Sequence, residues 1–70
     1  MVDVVKLKGE IVGHGKRTQD VADLLGISLK SWYDRVKKRN FDADEMYKIK
    51  AFLDLSDQQA LEIFFANEVT

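Results

Sequence analysis

Four cations, Lys30, Lys37, Lys38 and Arg39, fall within ten positions of one another, with Ser28, Ser31, Tyr33 and Asn40 close beside them. Lysine and arginine donate to phosphate oxygens and to the acceptor edge of guanine, and serine both donates and accepts. Tyr33 and its neighbour Leu29 can cover a thymine methyl. This is binding chemistry. The groups that catalysis needs are missing: the chain has no cysteine, its one histidine lies in the turn "GHGK", and it has neither a phosphate loop nor a carboxylate pair with a suitable base. The expectation is a non-enzyme with no catalytic residue and no cofactor. No metal is expected either, because a lone His14 cannot hold one.

Helical spacing sorts the basic stretch into two faces. At about 100° per residue, with Trp32 at zero, Val36 falls near 40° and Leu29 near 60°, while Tyr33, Lys37, Lys30 and Asp34 fall between about 100° and 200°. Trp32 and Val36 therefore face a core and the polar set faces out. A charged outer face is often only a solvated one, which is the plain alternative here. Asp34 has two readings: it pairs with Lys37 or Lys38 at helical spacing, or it accepts from a cytosine amine.

The stripe needs elements to hold it, and the sequence predicts five helices. The first spans about Asp3 to Val12, with Val4, Leu7 and Ile11 on one face, and Gly13 and Gly15 supply left-handed geometry to close it. Thr18 or Arg17 precedes a second helix running to Leu25, Thr18 being the better N-cap by type, with Val21, Ala22 and Leu25 inward and Gly26 as its end. Ser28 caps the third, about Leu29 to Lys38, which Asn40 can end. "FDADEMYKIKAFLDL" is a fourth, with Asp42 or Asp44 near its start and Met46, Ile49 and Leu53 inward. Ser56 caps a fifth whose apolar side is Leu61, Phe64 and Phe65. No stretch alternates with a period of two, so no sheet is expected. Residues 66–70 read as a frayed or extended tail.

Length and charge narrow the class. Seventy residues suffice for one domain near the lower size limit of a stable core. Residues 1–40 carry nine Lys/Arg against five Asp/Glu, and residues 41–70 carry two against seven, so a net of +4 is set against −5. A phosphate-rich partner is compatible with the basic end. No apolar run approaches the roughly 20 residues of a membrane span, and "MVDVVKLKGE" carries charge too often for a signal peptide. The chain is expected to be cytoplasmic and to have no membrane partner.

The break "GIS" between the second and third helices makes a helix-turn-helix over about residues 18–38, with small Ala22 four positions before Gly26 so that the helices can approach closely. "TQDVADLLGISLKSW" followed by "FDADEMYKIKAFLDLS" resembles the lambda-repressor-like, Cro-type helix-turn-helix domain of small bacteriophage transcription regulators. That family pairs a T-Q-x-x-x-A-x-x-x-G-I-S motif with an F-x-x-x-E-x-x-x-I-x-x-x-L segment, and the likeness covers about Leu7 to Phe65. Two residues separate Gln19 from Ala22 where the family pattern has three.

The resemblance implies a compact all-α five-helix domain, double-stranded operator DNA as ligand, and a homodimer on that DNA inside a bacterial host cell. By position, Thr18 and Gln19 would meet the phosphate backbone, and Ser28, Lys30, Ser31, Tyr33 and Lys37 would address the major groove. Lys38, Arg39 and Asn40 would follow the phosphates beyond it. Phe64 and Phe65 point about 100° apart, so either one of them remains available to a second copy or the tail of residues 66–70 covers both. The alternative function is a protein-binding modulator, an anti-repressor pairing with a phage repressor.

Overall fold

Four of the five helices begin at a side-chain oxygen that accepts a backbone N–H, which is why the chain can change direction so often without proline. The computed structural model describes residues 2–66, and it is helical with no strand among those residues. Helix α1 (Val4–Gly13) starts at Asp3, whose carboxylate accepts the Lys6 N–H at 3.1 Å. Helix α3 (Leu29–Lys38) starts at Ser28, whose hydroxyl accepts the Ser31 N–H at 3.2 Å. Helices α4 (Ala43–Phe52) and α5 (Asp57–Phe64) start at Asp42 and Ser56, which accept from Glu45 and Gln59 at 2.8 and 3.1 Å. Glu45 and Gln59 reach back to the Asp42 and Ser56 N–H groups, closing a capping box at each helix. Losing one such cap costs about 1 kcal/mol.

Helix α2 (Thr18–Leu25) takes the less favoured of its two expected starts. Its N-cap is Arg17, and Thr18 is the first helical residue. An arginine side chain offers no acceptor, so the start is secured from the other side: Asp20 accepts the Arg17 N–H at 2.8 Å and meets its guanidinium at 3.5 Å. Two helix ends also shift. Gly13 stays helical and His14 closes α1 with an ordinary φ of −94°, while Gly15 takes the left-handed geometry with φ 70°. Arg39, not Asn40, ends α3 with φ 53°; the Asn40 N–H returns to the Arg35 carbonyl, and Phe41 enters the core immediately afterwards. The reversal therefore falls one residue earlier than expected. Gly26 ends α2 at φ 69° as its type predicts.

The core is one cluster. Leu7 and Ile11 of α1, Val21 and Ala22 of α2, and Trp32 of α3 meet Ile49 of α4 and the following Leu53, all buried. Phe41 lies between α3 and α5, its ring 5.4 Å from Trp32 and 6.4 Å from Phe64. Tilted and edge-on pairs of this kind add about 0.5–1.5 kcal/mol each beyond the area they bury. Helix α2 packs on α3 and α4, and α1 packs on α5. The inward face of α5 is Ile63 and Phe64, whereas Leu61, expected on the apolar side, is 45 % exposed, and Phe65, at 41 %, is the one of the two phenylalanines left outside. Its rotation is set by contacts from distant parts of the chain: the Asp3 N–H donates to the Ile63 carbonyl at 2.6 Å, and Phe64 meets Phe41 edge-on. No helix among the described residues is long and apolar enough to cross a membrane. Ala66 is the last described residue, so the rest of the expected tail lies outside them.

Candidate nucleic-acid interface

Helix α3 is amphipathic because lysine recurs at positions 30 and 37 on the side opposite Trp32. Trp32 is buried at 3 % exposure, Val36 packs beside it, and Lys30, Tyr33, Asp34, Lys37 and Lys38 are exposed. The outermost ridge is Lys30, Asp34 and Lys37. Asp34 makes no ion pair among the described residues, so the expected pairing with Lys37 or Lys38 is absent there. A charged ridge with an unpaired carboxylate at its centre can donate to acceptors from both ends and accept at the middle.

Each flank of the ridge is a depression. Toward α1, Val4, Val5, Lys8, Thr18, Tyr33 and Val36 border an apolar groove of about 180 Å³, with Val5 79 % exposed at its lip. On the opposite flank, Ser31, Asp34, Arg35, Lys38 and Asn40 line a polar depression of about 300 Å³. The helix thus stands proud of its surroundings and can enter a groove of matching width.

The expected contact residues divide into those the fold groups and those it separates. Ser31, Tyr33, Lys37 and Lys38 share α3, and Asn40 joins Ser31 and Lys38 at the polar depression. Arg39 lies exposed at the helix end with a partner already engaged. Ser28 holds the helix start and also donates its hydroxyl to Ser31 Oγ at 3.2 Å, so both serines are partly committed. Thr18 borders the apolar groove with Lys8 and Tyr33. Gln19 is occupied: its amide donates to Asp23 at 2.8 Å. Asp20, beside it, is held below the usual carboxylate range, chiefly by the Arg17 N–H, against an opposing effect of desolvation, with smaller help from the Arg17 side chain and from the Arg17 and Lys16 charges. Two carboxylates therefore surround Gln19, which weakens the case for a phosphate there. Phe64 is in the core at 3 % exposure, so of the two phenylalanines only Phe65 is accessible to a second copy.

Two residues escaped the sequence reading. Lys8 reaches the groove from α1, and Arg35 of α3 forms an ion pair with Glu45 of α4. Arg35 could have been flagged, since it falls about 60° from Trp32, close to the buried arc, where a cation needs a partner. Its partner is a tertiary fact that no local pattern carries.

Comparison with protein-family models, with curated proteins and with solved structures returns no match.

Proposed function

We propose that this chain is a sequence-specific DNA-binding transcriptional regulator of the Cro-like or repressor-like kind, of phage or prophage origin, acting in the bacterial cytoplasm. In this reading α2 and α3 form a lambda-repressor-like helix-turn-helix, and α3 enters the major groove of operator DNA. The observation that supports it most is the ridge itself: exposed Lys30, Tyr33, Lys37 and Lys38 on a helix whose opposite face is fixed by buried Trp32, just after the left-handed turn at Gly26. Lys30 and Tyr33 address base edges, and Lys37, Lys38 and Arg39 neutralise phosphates.

A single recognition helix reads only a few base pairs, and a net charge of −1 gives no general attraction to add to it. The reading therefore includes a homodimer on a two-fold site, with the third helices about 34 Å apart. Leu61 of α5 and Phe65 at its C-terminal cap, one turn on and both exposed, are the surface offered to the second copy. The protein-binding alternative is favoured by one feature, the exposed Val5 at an apolar groove that shares Tyr33 with the ridge.

The test is selection of duplexes from a randomised pool, followed by mobility shifts at several salt concentrations. A preferred sequence should emerge, and Lys38→Ala should lower the log-log salt slope by about one while weakening all duplexes alike. Lys30→Ala should relax preference at one base step. Sedimentation with a two-half-site duplex should give two chains per duplex, and Phe65→Ser should reduce that to one. An unchanged salt slope after joint loss of Lys37, Lys38 and Arg39 would remove the footprint.

A further inference from the structure

Glu45 is the only charged residue that the fold buries among the described residues, at 8 % exposure. Both of its oxygens are used. Oε1 accepts the Asp42 N–H at 3.0 Å, and Oε2 meets Nη1 of Arg35, a side chain about one-third exposed on α3. A buried ion pair of this sort is weak support for stability, since apolar residues of similar volume often hold a fold as well. Its geometric effect is larger. Helix α3 is held from within by Trp32 and by Val36, about 40° to one side of it, and Arg35, about 60° to the other side, adds an attachment to the start of α4. The points of attachment then span about 100° of the helix circumference, which resists roll better than the apolar arc alone.

The magnitude matters for reading a groove. A side-chain tip lies about 5–6 Å from a helix axis, so a roll of about 20° carries it through about 2 Å. Recognition groups must be held to within about 0.5 Å or 10–20° of their productive placement. We propose that Glu45 is a positioning residue for DNA reading: through Arg35 it fixes the roll of α3 and with it the placement of Lys30 and Tyr33 against base edges. This rests on the DNA-binding reading above.

The role makes a prediction of opposite sign for two kinds of DNA. Glu45→Gln keeps an oxygen to accept the Asp42 N–H but removes the charge that holds Arg35. Affinity for a scrambled duplex should hold or rise, because a negative charge beside Arg35 has gone and no phosphate contact is lost. Affinity for the duplex enriched from a random pool by the parent protein should fall, so that the ratio of the two drops by about tenfold, the discrimination carried by one good base contact. Asp44→Asn is the control. It removes an equal charge from the same helix turn, from a carboxylate whose ion-pair partner is Lys48 of its own helix rather than Arg35, and should hold or raise both affinities together with the ratio unchanged.

Arg35→Met/Glu45→Gln removes the pair without leaving a buried charge, and it should melt cooperatively yet lose the same discrimination. A folded Glu45→Gln or double variant with the parent's ratio overturns the proposal. So does a parallel fall in both affinities together with melting temperature, which is the mark of a purely structural residue. If the parent enriches no sequence, the DNA reading fails first and takes this inference with it.

Discussion

Replacing glycine by alanine at two places in this chain should shift stability in opposite directions, although the same methyl group is added in open space at both. Gly26 ends α2 at φ 69° and ψ 30°, and a Cβ built there would meet nothing within 4 Å. With no clash to relieve, the cost is the intrinsic one of a left-handed residue, about 1–2 kcal/mol. Gly9 sits inside α1, exposed, with nothing within 4 Å of its Cβ position. There alanine should gain about 0.5–1 kcal/mol, because the unfolded chain loses freedom and the helix does not. In a chain of this size 1 kcal/mol moves the melting temperature by about 4–8 °C. Gly26→Ala should therefore melt at least about 4 °C below the parent and Gly9→Ala about 2–8 °C above it. Gly26→Asn should fall less than Gly26→Ala, since asparagine tolerates the left-handed region. Far-ultraviolet circular dichroism on all four proteins measures this. A Gly26→Ala variant that melts with the parent would refute the turn, and a Gly9→Ala variant that melts lower would mean that the surface of α1 there is covered.

Two further perturbations follow from the same structure. Ala22 has no exposed surface at the crossing of α2 with its neighbours, so Ala22→Leu should overfill that space at about 1–3 kcal/mol, read from urea midpoints, and should abolish any DNA binding. Asp20 has a depressed folded pKa, so its contribution is complete above the ordinary carboxylate range and is lost as pH falls through the folded value. Asp20→Asn should therefore lower stability at neutral pH and narrow to no difference in strong acid. A difference that is constant with pH would assign the effect to something other than the Asp20 charge.

The helices were legible because their boundaries are written in single residues. Asp3, Ser28, Asp42 and Ser56 each begin one, and Gly26 can hardly sit anywhere but at an end. What the sequence misplaced has a common cause. "LEIFF" offers apolar residues at nearly every angle, so the inward side of α5 depends on where Asp3 and Phe41 take hold of it. Thr18 is the better cap by type, but Asp20 secures the start from three residues on and leaves Arg17 in the cap position. Arg39 takes a left-handed turn that glycine or asparagine would accept more readily, because Phe41 must enter the core two residues later. At the candidate interface the outer stripe of α3 could be read from spacing, whereas the Arg35–Glu45 pair depends on how α3 and α4 are set against each other.

The bond from the Asp3 N–H to the Ile63 carbonyl also bears on how the chain is made. The two residues are separated by 60 positions, and α1 packs mainly on α5, so of the five helices described the first to be synthesised is fastened by the last. At about 5–20 residues per second, that is a wait of several seconds. Through that interval Leu7 and Ile11 have no α5 to pack against, and the apolar face of α1 stays open. Helices α2, α3 and α4 can dock on one another earlier, so the segment carrying the ridge takes shape before the molecule closes around it.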